Sequence, residues 1–342
     1  MRPLYVAWWN VENLFDEENS PRRSEKLTRA LGNDLRGWTP ELRDRKISQL
    51  ASVIAQMNTG QGPDLLGVCE VENEFVMQQL ATAINTLVPA RTYEVAHADT
   101  SDQRGVDVAF VFDSALFTAP ADQRFQHVVM RRTGTREILQ VNFQTAQGRT
   151  WAMLANHWPS RRGGQMESAA YRAVAGETLA YFHERILEVH GPDTPVLVMG
   201  DFNDEPFNAS LTQHALSTRQ RKKVLHATTT HPLWNLMWPL LGTDDHTDPN
   251  GDNNETPRPA GTFYFEGHAN VLDQFLVNKN MLTPGAPLHA DPASVHIVTD
   301  PPGMIGTGRY PVPVPFGGMG KPVDKDGFSD HYPIAMRVHT AD

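Results

Sequence analysis

The chain has 342 residues, of which 40% are hydrophobic and 20% charged, a composition that suits a globular protein with a sizeable core. Its 40 acidic residues outnumber 30 basic ones, so the sequence lacks the overall positive charge typical of proteins that grip nucleic acid tightly. One cysteine, Cys69, excludes an intrachain disulfide, and no stretch approaches the ~20 apolar residues of a membrane-spanning helix. The apolar run after Met1 is too short for a signal peptide, which predicts a cytoplasmic protein.

Short runs that are apolar on both faces predict β-strands covered on both sides, and they lie at 4–9, 65–69, 195–199 and 271–277. Four further strands are predicted at 106–112, 137–143, 150–155 and 333–338. The middle of the chain, 93–155, is predicted to form consecutive strands, which argues against a purely parallel βαβ sheet.

Three segments carry apolar residues at intervals of three and four, the spacing of amphipathic helices: 47–57, 76–87 and 171–189. Strands apolar on both faces together with helices apolar on one face predict two packed sheets with helices outside. Two long segments, 216–261 and 300–327, are predicted to be loops rather than linkers. We therefore expect residues 1–342 to form a single domain.

Acidic, amide and histidine side chains recur where the predicted strands begin or end. They are Asn10, Glu12, Glu70, Asn156, His157, Asp201, Asn203, Asp330 and His331. A further carboxylate, Asp273, lies inside an apolar run, where it needs a partner because an unpaired buried charge costs several kcal/mol. Loops that leave strand ends gather side chains at one rim, so this pattern predicts a shared site.

These residue types suit the hydrolysis of phosphoesters. Mg²⁺ prefers carboxylate oxygens and keeps several waters, while carboxylates and amides can orient an attacking water. A cationic histidine and a metal ion both stabilise the charge that develops on a phosphoryl group.

In this order the motifs resemble those of the endonuclease/exonuclease/phosphatase superfamily, from Asn10 to His331. They are N-x-[ED], E, NH, GDFN, LDQF and SDH, and the sequences at 10–16, 156–161 and 271–275 look most similar to its bacterial nuclease-like branch. The resemblance implies a four-layered α/β sandwich with the active site at one end. It also implies a hydrolase that uses Mg²⁺, or alternatively Mn²⁺.

The resemblance assigns the metal to one group of side chains. Glu70 would be the principal ligand, and Asn10, Glu12 and Asp330 would complete or support the metal sphere. For Glu12, a position beside the metal sphere rather than in it remains open.

The resemblance assigns catalysis to a second group. Asp201 would be the general base or water-orienting carboxylate, and Asn203 would hold the water or a phosphate oxygen. His331 would bind the phosphoryl group, oriented and kept cationic by Asp273, and His157 would be a second phosphate ligand.

Three arginines are candidates for contacting substrate phosphate. Arg161 either binds phosphate or extends into solvent, and the same holds for Arg162. Arg104 precedes a run, 105–108, that the family often has, and Asp107 would support Arg104 or bond to the backbone.

Three functions fit this set. A nuclease or phosphodiesterase is favoured by the motifs, whereas a phosphatase acting on a small phosphorylated molecule or lipid head group would need the same catalytic residues. A catalytically silent binding domain is disfavoured because every expected position is filled. The sequence indicates no obligate protein partner, and we expect a monomer.

Overall fold

The computed structural model describes residues 2–99, 105–130, 135–241, 259–283, 285–308 and 310–341. Its strands, numbered in chain order, are β1 (Leu4–Leu14), β2 (Leu65–Val71), β3 (Tyr93–His97), β4 (Asp107–Asp113), β5 (Phe117–Thr118), β6 (Arg124–His127), β7 (Ile138–Thr145), β8 (Thr150–His157), β9 (Val196–Asp201), β10 (Ser217–Thr218), β11 (Leu233–Asn235), β12 (Phe263–Phe265), β13 (His268–Asn270), β14 (Asp273–Val277), β15 (Leu288–Ile297) and β16 (Ile334–Thr340). Its α-helices are α1 (Glu25–Leu31), α2 (Pro40–Gly60), α3 (Glu74–Leu87), α4 (Gln165–His190) and α5 (Arg221–Leu225).

The strands form two large mixed sheets and one hairpin. The first sheet has the order β15-β16-β1-β2-β4-β3, and the second has the order β10-β11-β14-β9-β8-β7-β5, with β6 also pairing with β7. Neighbours are parallel at β1–β2, β8–β9 and β10–β11 and antiparallel elsewhere. The small hairpin joins β12 to β13.

The two large sheets pack face to face. One apolar cluster contains inward side chains of both sheets, for example Trp8 and Phe110 from the first and Met199 and Phe275 from the second. Helices α2 and α3 cover the outer face of the first sheet, and α4 covers the outer face of the second. The predicted four-layered α/β sandwich is confirmed.

All eight predicted strands and all three predicted helices are present, with small shifts at their ends. The first strand runs on to Leu14 through a shift of register against β2, so Asn10 and Glu12 lie within its irregular last part. The segment predicted as one long loop, 216–261, contains β10, α5 and β11 before residues 242–258, which lie outside the described part of the chain. No helix within the described residues is long and apolar enough to cross a membrane.

Strand direction brings the predicted site residues to one edge of the sandwich. In the second sheet, His157 at the end of β8 and Asp273 at the start of β14 both lie opposite Asp201 in β9. In the first sheet, β1 ends beside β2 at this edge, and β16 begins there three residues after His331. Gly200 permits the close approach of β8, because a Cβ there would lie 2.5 Å from the carbonyl oxygen of Asn156.

Candidate active site

Asp201 lies at the centre of the rim cluster and is 2% exposed. Its Oδ2 accepts hydrogen bonds from the side-chain amides of Asn10 at 3.1 Å and Asn203 at 3.2 Å. Its Oδ1 accepts from the backbone N–H of Asn203 at 2.9 Å. Burial, together with the negative charge of Asp273 and Glu70, raises the pKa of Asp201 to about 7, against the opposing effect of His331.

Asn203 adopts a left-handed backbone conformation, with φ of 50°, directly after β9. This conformation turns its amide back toward Asp201, and the same amide nitrogen donates to the carbonyl oxygen of Trp158 at 3.0 Å. Asn203 thus fixes the Asp201 carboxylate from two sides. A carboxylate whose orientation is fixed in this way is suited to align a water molecule.

His157 lies between Glu70, the predicted principal metal ligand, and Asp201, the predicted general base. Its Nε2 lies 3.6 Å from Oε1 of Glu70 and 3.7 Å from Oδ2 of Asp201. The Glu70 side chain is 21% exposed and reaches the rim from a bulge in β2, where its φ is 66°. Its Oε2 accepts the backbone N–H of Asn13 at 3.0 Å.

His331 and Asp273 form the predicted pair. Nδ1 of His331 lies 2.7 Å from Oδ2 of Asp273, while Trp8 Nε1 donates to the other oxygen at 2.9 Å. Burial alone would lower the pKa of His331, but the Asp273 carboxylate outweighs it and raises that pKa to about 10. The ring is therefore cationic at neutral pH, with its Nε2 facing Asp201 at 4.0 Å and the ring of Phe263 packed 4.7 Å away.

Glu12 lies deeper than the other predicted metal ligands and is fully buried. Its Oε2 accepts the backbone N–H groups of Phe316 and Gly317 at 2.9 and 3.2 Å, while Oε1 accepts no hydrogen bond from the described residues. Burial raises the pKa of Glu12 to about 7, opposed by the nearby charge of Lys46. Glu12 thus ties the segment 300–327 to β1, and its part in metal binding stays a prediction.

Asp330 is the most exposed of the predicted ligands. Its side chain is 30% exposed, and its Oδ2 lies 3.7 Å from Nζ of Lys321. Asp330 and Glu70 both present carboxylate oxygens on partly exposed side chains, and Mg²⁺ and Mn²⁺ prefer such oxygens together with water. The chemistry of the donor set therefore fits Mg²⁺ or Mn²⁺.

Arg161 is less free to contact substrate than the sequence suggested. Its Nε donates to the carbonyl oxygen of Asn203 at 2.8 Å, and its Nη1 donates to Asn270 at 3.1 Å. Its Nη2 reaches Asp204 and Asn208 at 3.4 and 3.3 Å. Arg161 is partly buried rather than extended into solvent, and phosphate binding by it stays a prediction.

The last predicted phosphate contact is Arg104, and Asp107 was predicted to support it. Arg104 falls outside the described residues, whereas Asp107 is buried, with Oδ2 lying 3.1 Å from Nε2 of His97. Among the described histidine, cysteine and carboxylate side chains, His97, Asp99 and Asp107 form the one trio whose ligand atoms all lie within 4.8 Å of one another. No role in the reaction follows from this trio.

Some residues that support the site were not predicted from the sequence. Lys46, Trp8, Thr262 and Arg136 are buried beside it: Thr262 Oγ1 accepts the backbone N–H of Asp273 at 3.2 Å, and Arg136 donates to the carbonyl oxygen of Trp158 at 2.7 Å. Of these four residues, only Lys46 could have been found from the sequence. It lies four residues before Leu50, in line with the apolar face of a predicted helix.

The fold and the rim of carboxylates, amides and histidines define a hydrolase of phosphoester bonds. A sequence profile of the Endonuclease/Exonuclease/phosphatase family matches residues 5–340, and the chain belongs to this family. The family predicted from the motifs is thus confirmed. No curated protein is significantly similar to the chain in sequence.

Several solved structures share the fold. The human Nocturnin catalytic domain, solved with bound sulfate, is 17% identical with a TM-score of 0.53 and covers 99% of this chain and 94% of its own. A humanized D. rerio TDP2 is 14% identical with a TM-score of 0.55 over 99% of both chains. A Bacteroides thetaiotaomicron mannosyl-6-phosphatase is 16% identical with a TM-score of 0.51, covering 98% of this chain and 99% of its own.

Proposed function

We propose that the protein hydrolyses phosphodiester bonds of nucleic acid with the help of Mg²⁺, for which Mn²⁺ can substitute. The observation that carries the proposal is the environment of Asp201, which two amides orient between the cationic His331 and the His157–Glu70 pair. The likeness of the motifs to the bacterial nuclease-like branch favours a nuclease among the hydrolases of this family.

The residues divide the reaction between them. Asp201, held by Asn10 and Asn203, aligns a water molecule and accepts its proton, and a pKa of about 7 suits a general base at neutral pH. His331, kept cationic by Asp273, binds a phosphoryl oxygen whose negative charge increases in the transition state.

Glu70 and Asp330 would hold the metal ion, and Asn10 and Glu12 would support them. A divalent ion at this position supplies positive charge that neutralises the phosphoryl group. His157, 3.6 Å from Glu70, lies where it can donate to a second phosphate oxygen.

An alternative is a phosphatase or phosphodiesterase that acts on a small phosphorylated molecule or a lipid head group. The formal net charge of −10 favours it, because an acidic protein repels a long polyanion. One of the similar structures is a mannosyl-6-phosphatase, so a protein of this fold can act on a small phosphorylated substrate.

A substrate panel separates the two functions. Duplex and single-stranded DNA, RNA, inositol phosphates, sphingomyelin and a generic diester would be incubated with Mg²⁺, Mn²⁺ or Ca²⁺. We expect cleavage of polynucleotides that EDTA abolishes and that Mg²⁺ or Mn²⁺ restores. Turnover of small phosphoesters alone would favour the alternative, and full activity in EDTA would exclude metal dependence.

Variants test the assigned roles. Glu70→Gln, Asp201→Asn and His331→Ala should each lower turnover by orders of magnitude while the protein stays folded. Asp122→Asn is the control, because this carboxylate is exposed in the turn before β6. A rate near wild type in any of the three would remove that residue from its role.

A further inference from the structure

Lys46 is a fully buried lysine beside the candidate active site. It projects from α2, where the ring of Phe316 lies 5.2 Å from its ammonium nitrogen. That nitrogen donates a hydrogen bond to the carbonyl oxygen of Glu12, and the carboxylates of Glu12, Asp330 and Glu70 act on its charge. A lysine is seldom buried so completely, because removing an ammonium group from water costs several kcal/mol.

The carbonyl that Lys46 contacts belongs to the peptide unit that holds Glu70. In this planar unit the C=O comes from Glu12 and the N–H from Asn13, pointing in opposite directions. Lys46 donates to the oxygen on one side, and the N–H on the other side donates to Oε2 of Glu70 at 3.0 Å. One rigid peptide thus connects the lysine to the carboxylate.

This peptide occupies a conformation that needs support. Glu12 and Asn13 have φ values of 50° and 55°, in the left-handed region that residues other than glycine adopt less readily. The register of β1 against β2 shifts between Asn10 and Leu14, so regular strand pairing does not fix the turn. The hydrogen bond from Lys46 holds the peptide in the orientation that directs its N–H at Glu70.

We propose that Lys46 is a positioning residue that orients the Glu70 carboxylate for a divalent metal ion through the Glu12–Asn13 peptide. The inference rests on the proposed function, in which Glu70 is the principal metal ligand. It goes beyond that function because Lys46 is fully buried and would act on the metal only through the Glu12–Asn13 peptide. Hydrogen-bond partners that orient a metal ligand typically change metal affinity by about 10- to 100-fold when they are removed.

The test measures Mn²⁺ binding to the substrate-free protein by isothermal titration calorimetry. Lys46→Met keeps an unbranched side chain, one atom shorter than lysine, but removes its donor, so we expect Mn²⁺ affinity to fall about 10- to 100-fold. Lys46→Arg keeps a donor and should restore most of the affinity. Lys46→Gln, whose amide ends one bond short of the carbonyl, should weaken binding and serves as the second variant where Lys46→Met does not fold.

Arg91→Met is the matched control. Arg91 is a buried cation that pairs with Asp64 and Asp113. Asp64 lies just before β2 and Asp113 at the end of β4, so both are at the end of the sheet opposite the site. This variant should lower the Tm, because a buried ion pair is lost. It should leave the Mn²⁺ affinity within about twofold of wild type, because Arg91 does not orient Glu70. Wild-type Mn²⁺ affinity in folded Lys46→Met or Lys46→Gln would overturn the inference, whereas EDTA-resistant turnover of the wild type would overturn the proposed function instead.

Discussion

The His331–Asp273 pair shows how one residue's environment sets its charge. Asp273 lies in an apolar strand and therefore needs a partner, which is His331. The second oxygen of the Asp273 carboxylate accepts a hydrogen bond from Trp8. Because the pKa of His331 in the folded protein is raised to about 10, the protein binds a proton there that the unfolded chain releases near pH 6.5.

Asp273→Asn should therefore change how stability depends on pH. In the wild type, the stabilisation from the pair is complete below about pH 6.5 and is lost as pH rises through about 10. The variant should lose most of that slope, which urea denaturation between pH 6 and 10 measures. Asp291→Asn is the control, because its partner His339 lies 3.7 Å away and is 56% exposed. An unchanged slope in Asp273→Asn would contradict the assignment.

Arg161→Ala should affect turnover as well as substrate binding. Its guanidinium holds the carbonyl oxygen of Asn203, whose amide in turn orients Asp201. Loss of a hydrogen bond of this strength predicts a kcat about 10-fold lower, accompanied by a higher KM if the side chain also meets phosphate. The control is Arg162→Ala, an exposed neighbour, which should leave kcat unchanged. Steady-state kinetics in which KM alone moved would assign Arg161 to substrate binding.

At the scale of elements, the side chains of the site are positioned by the ends of strands and helices. Helix α3 begins directly after the Glu70 bulge, and its N-cap is Asn73, whose Oδ1 accepts the backbone N–H of Val76 at 3.1 Å. An N-cap satisfies one of the donors that the first helical turn leaves without a backbone partner.

Asn73→Ala should destabilise the protein by about 1 kcal/mol because this hydrogen bond is lost. Its kcat should stay within about twofold of wild type, since Asn73 does not contact Asp201 or Glu70. Chemical denaturation and the standard hydrolysis assay measure the two quantities. Ser24→Ala removes the corresponding cap of the short, exposed α1 and should cost less. A kcat more than twofold below wild type in the folded variant would show that the Asn73 cap also shapes the Glu70 bulge.

The sequence predicted the strongly patterned elements and missed those with polar or interrupted patterns. Strand β15 (Leu288–Ile297) contains Pro292, Asp291 and two histidines, which hide its alternation, and it lies at an edge where proline is tolerated. Lys46 was missed because a helical stripe is read from its apolar members. The positions of Asn10, Glu70 and Asp201 followed from strand ends, whereas the bulges that aim them depend on packing between distant segments.

At the scale of the molecule, both sheets share one core. Phe143 of β7 packs edge-on against Phe110 and Phe112 of the first sheet, at centroid distances of 5.4 and 5.3 Å, and against Phe117 at 6.0 Å. A core that spans both sheets supports the prediction of a single domain, because neither sheet can bury this face alone.

Phe143→Ala should lower the free energy of unfolding by about 3–5 kcal/mol, the usual cost of removing a buried aromatic ring. Circular dichroism and tryptophan fluorescence should report coincident urea transitions in both wild type and variant. Phe125→Ala is the control, because this ring is 39% exposed on β6 and should cost far less. Two separate transitions would contradict the single-domain prediction.

The adjacency of β1 and β16 at the middle of the first sheet has a consequence for biosynthesis. Asn10 lies more than 300 positions before Ser329, whose hydroxyl donates to the Asn10 carbonyl oxygen at 2.7 Å, and before His331. A nascent polypeptide still short of position 331 lacks the His331 side chain and strand β16, which pairs with β1. The rim around Asp201 is therefore completed only after synthesis has passed His331.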